Sequence, residues 1–452
     1  MSLLARAADE FRLLTAANRA ESGLYPGERP ARQPVHTVYG GAQLYRAETT
    51  ERLGALATRA FATYAPDPRE LATGIGLVPP GAPLDDEFAT KLYARVRDKL
   101  ATEAVEDFRI DFEDGFGARP DAEEDAVAVR AAGELARAAR EGRLSPFVGI
   151  RIKSLGEEWK LRAARTLELF LDELLSKSGG VLPQNFVVTL PKVTLPEQPR
   201  LLVRLFELLE ERHGLAAGSL KLELMIETTQ SLFDQEGRLA LPALVAAAQG
   251  RCTGAHLGVY DFTAACNVTA AEQRVMHPLC DLARGLMTLA LAGTGVFLSD
   301  GATNVMPVAR HRGEALGAAE LAQNRASVHA AWQLSYRAIR HALASGIYQG
   351  WDLHPAQLPV RYAASYAFFL EGFGAAAERL RNFVETSAQA TLVGDVFDDA
   401  ATGQGLLNYF LRALNCGAIG VEDLSHTGLL PAEVELRSFA KILAARRARL
   451  EG

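Results

Sequence analysis

The chain has little cysteine, no basic excess, no long apolar run and no glycine-rich phosphate loop, and each lack removes a class of function. Its four cysteines, Cys252, Cys266, Cys280 and Cys416, are spread over a chain of 452 residues. None forms a Cys-x-x-Cys pair, which argues against a cysteine-built zinc site or a disulfide scaffold and for a reducing, cytoplasmic setting. With 48 Lys and Arg against 55 Asp and Glu, the net charge of −7 offers no basic surface for nucleic-acid phosphates. No apolar run is long enough to cross a bilayer, and no signal peptide opens the chain. Gly40-Gly41-Ala42-Gln43 does not fit Gly-x-Gly-x-x-Gly, and no Gly-x-x-x-x-Gly-Lys loop occurs.

What is present is a repeated grammar of apolar strands that end in polar residues. From Phe108 to Gly115, Phe108, Ile110 and Phe112 alternate with Arg109, Asp111 and Glu113, the period of a short strand. It runs out into Asp114 and Gly115. Carboxylates this close repel one another unless a positive charge lies between them. The same pattern recurs: Val35–Tyr39 runs into Gly40 and Gly41, Phe147–Ile152 into Lys153, and Asn185–Leu190 into Pro191 and Lys192. Leu220–Ile226 ends in Glu227, Ala255–Tyr260 in Asp261, Gly295–Leu298 in Ser299 and Asp300, and Gly346–Gly350 in Trp351, Asp352 and His354. Helical patterns at 49–64, 85–104, 121–141, 157–176 and 198–213 separate the earlier strands, and 66–83 reads as an irregular loop.

Eight strands alternating with helices predict an α/β fold, a (β/α)8 TIM-type barrel whose chemistry lies at the C-terminal strand ends. Residues 1–34 read as an N-terminal helix and an irregular arm, 35–358 as the barrel, and 359–452 as a helical C-terminal extension. Helices are expected there at 362–386, 404–415 and 431–450. Between the last two, a loop from Gly417 to Gly428 carries Glu422, Asp423 and His426. The extension is too apolar for a free tail. It is expected to cover the barrel mouth, in cis or from a neighbouring subunit, and a homo-oligomer is the expected assembly.

Glu227 and Asp261 fall on neighbouring strand ends, ~5 Å apart in such a barrel, so their carboxylates can reach one cation. Oxygen ligands favour a hard ion, Mg2+ (or Mn2+), with Asp111, Glu113 and Asp114 orienting its waters. The alternative is that both carboxylates make local caps or ion pairs. Arg151 is placed to grip a substrate carboxylate or carbonyl by two parallel hydrogen bonds, to pair with Glu113 or Asp114, or to do both. Lys192 and Asp300 are further candidates for substrate contact, although a rim lysine need do no more than carry charge. His354, before a proline, reads as a packed turn residue, and His36, His256 and His277 as core or loop residues.

Taken together these motifs resemble the superfamily of citrate lyase β-subunits, malyl- and citramalyl-CoA lyases, HpcH/HpaI-type 2-oxo acid aldolases and malate synthases. Asp111-Phe112-Glu113-Asp114 is similar to that superfamily's Asp-Leu-Glu-Asp, and Gly149-Ile150-Arg151 to its Val-Arg-Val-Asn. Leu190-Pro191-Lys192-Val193, Met225-Ile226-Glu227-Thr228, Gly258 to Phe262, Ser299-Asp300-Gly301 and Leu353 to Gln357 follow in the same order. The resemblance implies Mg2+ on Glu227 and Asp261, Arg151 on a carboxylate or enolate oxygen, and a mouth suited to phosphoenolpyruvate- and pyruvate-like ligands. Val421 to Leu424 is similar to the segment that brings a catalytic aspartate over the site in malate synthases and malyl-CoA lyases. That makes Asp423 a candidate base beside Glu113, with a helix cap as its bland alternative. The expected activity is a Mg2+-dependent carbon–carbon lyase or aldolase acting through the enolate of a 2-oxo acid or CoA thioester. Alternatives are a thioester hydrolase on a malyl-CoA-like substrate, a phosphoenolpyruvate-type phosphotransferase, and a catalytically silent oxo-acid-binding barrel.

Overall fold

The computed structural model describes residues 2–27, 29, 31–313, 315–385, 391–393, 396–398 and 400–451. Eight parallel strands close into one barrel. They are β1 (His36–Gly41), β2 (Asp107–Asp111), β3 (Phe147–Arg151), β4 (Phe186–Leu190), β5 (Lys221–Ile226), β6 (Cys252–Leu257), β7 (Phe297–Asp300) and β8 (Gln349–Asp352). At the seam His36, Thr37 and Val38 pair with Gly350, Trp351 and Asp352, which leaves the sheet without a free edge. The alternation along β2 has the expected cause. Phe108 faces the helical layer, against Tyr45, while Arg109 and Asp111 turn inward onto other strands. The fold is the (β/α)8 barrel that the strand count predicts.

Several boundaries move, and glycine explains most of the shifts. β6 stops at Leu257, and Val259 and Tyr260 open a helix, Val259–Ala265, instead of continuing the strand. The break falls at Gly258, where a Cβ would stand 2.5 Å from Glu227 Oε2. β7 and β8 begin later than their apolar runs suggest, because Gly295 (φ 75°) and Gly346 (φ 79°) occupy left-handed turns before them. Within the expected loop at 66–83, Pro68–Gly74 forms a short helix capped by Asp67. The expected helix at 431–450 is two, Pro431–Val434 and Phe439–Glu451. Two barrel helices, Pro278–Leu291 and Ala318–Ala344, were not assigned from the sequence.

The C-terminal region differs most from expectation. Leu358–Glu385 is the eighth barrel helix, packed between Ala318–Ala344 and Asp86–Thr102 with Tyr362, Ala363, Tyr366 and Phe369 buried. The barrel therefore runs past 358; Thr386, the last residue of the helix expected there, lies outside the described residues. Thr391–Val393 and Val396–Asp398 pair as an antiparallel ribbon, followed by the helix Ala400–Cys416. That helix docks at the end of the barrel opposite the mouth. Arg412 donates to Gln33 Oε1 at 2.7 Å and Asn415 to the Gln33 carbonyl at 2.8 Å, just before β1 begins. Among the described residues the extension does not cover the mouth of its own chain. No helix of the described residues is long and apolar enough to cross a membrane.

Candidate active site

Arg151 closes β3. Its Nε and Nη2 donate to the two oxygens of Asp111 on β2 at 2.7 and 2.5 Å. Nη1 faces Glu113 at 3.2 Å and Asp114 at 3.6 Å. Asp111 in turn accepts the backbone N–H groups of Glu113 and Gly115 at 2.9 and 2.7 Å, which folds the acidic turn back over the strand end. Below the guanidinium lies the Tyr39 ring, 4.8 Å from it, and Tyr39 is tilted against Trp351 at 4.9 Å. The fork that the sequence assigns to a substrate is thus engaged by Asp111, and Nη1 is the donor directed past it. Of the two sequence readings of Arg151, the ion pair with Glu113 and Asp114 is present, with Asp111 as its first partner.

Lys192 follows Pro191 at the end of β4 in a left-handed conformation (φ 50°), a backbone state that costs a non-glycine residue on the order of 1 kcal/mol or more. This turn aims two groups at once. The backbone N–H donates to Glu227 Oε1 at 2.7 Å. The ammonium contacts Glu113 at 2.5 Å, Asp261 at 3.2 Å and Asp114 at 3.5 Å; burial lowers its pKa, but Glu227, Glu113 and Asp114 outweigh burial and hold it well above the usual lysine value.

Glu227 is 2% exposed. Burial pushes its carboxyl up to about 8; Lys192 opposes the shift, and Asp261 and Glu113 add to it. Burial also raises Glu113 against the pull of Arg151. For Asp114 the balance reverses, and Arg151 and Lys192 outweigh burial to hold it below the usual carboxylate range. Asp261, in the first turn of Val259–Ala265, is about half exposed.

These groups surround a cavity of about 340 Å³ at the C-terminal strand ends, lined by Tyr39, Asp114, Arg151, Glu227, Asp261 and Trp351 among others. A second cavity of about 280 Å³ adjoins it, sharing Asp114 and walled by Glu113, Lys192, Lys153 and Trp159. Among the described residues no group of three or more His, Cys, Asp or Glu side chains forms a ready cage for a metal ion. A cation here would rest on Glu227 and Asp261, with water or substrate oxygens completing its shell. The residues fit that role: a buried carboxyl that burial leaves short of positive charge, and an oxygen-only donor set.

The structure therefore gathers Asp111, Glu113, Asp114, Arg151, Lys192, Glu227 and Asp261 at one mouth. Two expected site residues lie elsewhere. Asp300 is buried, with Oδ1 accepting from Arg284 at 2.9 Å and from the Gly301 N–H at 2.9 Å, and it does not line the 340 Å³ cavity. Asp423 accepts the Gly420 N–H at 2.8 Å and pairs with Arg95 at 3.3 Å on the outer helix Asp86–Thr102, which is the capping role given as its alternative. His354 and His277 cap their local turns as packed residues. Tyr39 and Trp351 are site residues that sequence reasoning passed over. Each sits near a strand's C-terminal end on the inward phase, and that placement was the available signal.

In class, then, the molecule is a (β/α)8 barrel with an acidic, arginine-bearing mouth. It shares that fold with a citrate lyase from Burkholderia xenovorans LB400, at a TM-score of 0.55 and 18% identity over 88% of this chain and 97% of the other. A malate synthase from Haloferax volcanii aligns at a TM-score of 0.45 and 14% identity, over 89% of this chain and 99% of that one. No curated protein matches the sequence. The chain belongs to the family described as "Domain of unknown function (DUF6986)", whose model matches residues 14–442.

Proposed function

We propose that the protein is a carbon–carbon lyase or aldolase dependent on Mg2+ (or Mn2+), acting through the enolate of a 2-oxo acid or of a CoA thioester. One observation carries this reading: Arg151 and Glu227, at the ends of β3 and β5, and Asp261, in the helix that follows β6, line the same cavity of about 340 Å³. The same fold in a citrate lyase supports it by analogy only.

Glu227 and Asp261 would hold the ion, which when bound supplies positive charge for a developing enolate oxygen. Asp111 fixes the plane of Arg151, so that Nη1, which faces Glu113 and Asp114 in the free site, is held in position to turn its donors to a substrate carboxylate or carbonyl. Glu113, raised by burial and touching both Arg151 and Lys192, is the group best placed to take a proton directly or through a water. Tyr39 and Trp351 give the cavity an aromatic floor that excludes water beneath the reacting carbon. A Schiff-base mechanism on Lys192 is disfavoured, because such a lysine needs its pKa lowered and the surrounding carboxylates raise it. A catalytic role for Asp423 would require a neighbouring subunit to supply it.

The test is a screen of 2-oxo acids, malyl-CoA and citramalyl-CoA with and without Mg2+, with Glu227→Ala as control. Metal-dependent cleavage or condensation that the variant loses is the expected result. Thioester hydrolysis without carbon–carbon cleavage would favour the hydrolase, and turnover unaffected by the substitution would remove the site.

A further inference from the structure

Lys192 sits where a cation is needed, and it is tethered in an unusual way. Its backbone is locked: the left-handed turn and the N–H to Glu227 at 2.7 Å anchor the residue beside the buried carboxyl. Its side chain is not locked in the same manner. It is about one-third exposed and spans three carboxylates, Glu113, Asp114 and Asp261. Of these contacts the one to Asp261 touches a residue given above to the ion, and the one to Glu113 lies on the wall of the adjoining 280 Å³ cavity. The mouth holds Asp111, Glu113, Asp114, Glu227 and Asp261 against Arg151 and Lys192. Arg151 is buried and committed to Asp111, whereas Lys192 is about one-third exposed and divides its contacts among three carboxylates, so of these two cations it is the one placed to shift between partners.

Resting on the metal-dependent reading, we infer that Lys192 is the resident cation of the metal-free site, and that it releases Asp261 to an incoming divalent ion while staying tied to Glu113. The ammonium then faces the second cavity, where it is placed to meet an anionic group on the larger part of a substrate. The ammonium holds Asp261 Oδ2 at 3.2 Å, and a divalent ion on the same carboxylate repels it, which drives Lys192 back toward Glu113. The neighbouring Lys153 is different. It is buried and held by Glu124 at 3.1 Å and the Phe112 carbonyl at 2.7 Å, so no exchange is expected of it.

Two measurements on the full-length protein test this. In the first, Mn2+ is titrated by calorimetry into the wild type, Lys192→Gln and Glu227→Gln. Lys192→Gln is expected to bind about tenfold more tightly, since the competitor is gone, and Glu227→Gln to lose binding. In the second, wild type is labelled briefly with acetic anhydride in chelator and in saturating Mg2+, and Lys192 and Lys153 are read by mass spectrometry. Labelling of Lys192 is expected to rise several-fold with the ion while Lys153 is unchanged. If Mn2+ binds through Glu227 but labelling of Lys192 is unchanged or falls, the displacement is overturned and the metal site stands. If neither the wild type nor Lys192→Gln binds the ion, the metal reading falls and this inference falls with it.

Discussion

Two arginines on adjacent strands, Arg109 on β2 and Arg151 on β3, stand in two acidic clusters, one enclosed in the barrel and one half open at its mouth. Arg109 is enclosed inside the barrel. It pairs with Asp107, and with Glu223 at 2.7 Å, and reaches Thr189 at 3.2 Å. Glu223 also meets His256 at 3.2 Å, and His256 accepts from the Trp351 indole at 2.9 Å. Although burial alone would raise Glu223, Arg109 and His256 hold it far below the usual range. Around Arg151, five carboxylates meet two cations, and Glu227 rises to about 8. A buried carboxylate with its donors complete is part of the scaffold. One left short of positive charge is a place for something to bind.

The largest effect should come from breaking the closed cluster. Arg109→Met strands Asp107 and Glu223 without their cation and should cost about 3–5 kcal/mol of stability, read by chemical denaturation. A variant within 1 kcal/mol of wild type would mean the interior cluster relaxes freely. At the mouth the same kind of change should act on chemistry and not on folding. Arg151→Lys keeps the charge but loses the planar two-point pairing with Asp111, so turnover should fall by about 100-fold. Its melting temperature should move only a few degrees.

Glu227 predicts a pH dependence of the metal-free protein. Its carboxyl is raised from 4.5 to about 8 in the folded state. Between those values the folded chain holds more protons than the unfolded one, so stability falls as pH rises from about 4.5 to about 8 and then levels off. Glu227→Gln should remove that slope and, above pH 8, make the metal-free protein more stable than wild type by roughly 1–3 kcal/mol, measured by urea denaturation in chelator. The smallest effect is expected from Asp423→Asn. Its partly exposed pair with Arg95 is worth at most about 1 kcal/mol, and turnover should be unchanged unless a neighbouring subunit carries Asp423 to the mouth.

The two clusters also differ in how far they could be read from sequence. The mouth was legible because its residues lie at strand ends, where apolar alternation stops at Glu227 or Lys192 and a charge becomes conspicuous. Arg109 was hidden because its alternation with Phe108 and Ile110 looks the same whether it faces solvent or a closed barrel. Its partner Glu223 lies 114 positions away, beyond any local pattern. Asp261 was placed at a strand end and belongs to a helix, because the apolar run passes through Gly258 unmarked and only the packing of Glu227 shows why glycine is required there. The surface that the extension packs on within its own chain was hidden for a similar reason. Apolar helices such as Leu358–Glu385 declare that they need a surface, but not which one.

The central claim is that the mouth makes an enolate with the help of a divalent cation, and proton exchange tests it without knowledge of the second substrate. The methyl protons of pyruvate, related 2-oxo acids and acetyl-CoA can be followed by NMR in D2O with Mg2+ and the wild-type protein. Exchange into at least one of these compounds is expected, abolished by chelator and by Glu227→Ala, and strongly reduced in Arg151→Lys. Absence of exchange from all of them, or exchange that survives both the chelator and Glu227→Ala, would contradict the account.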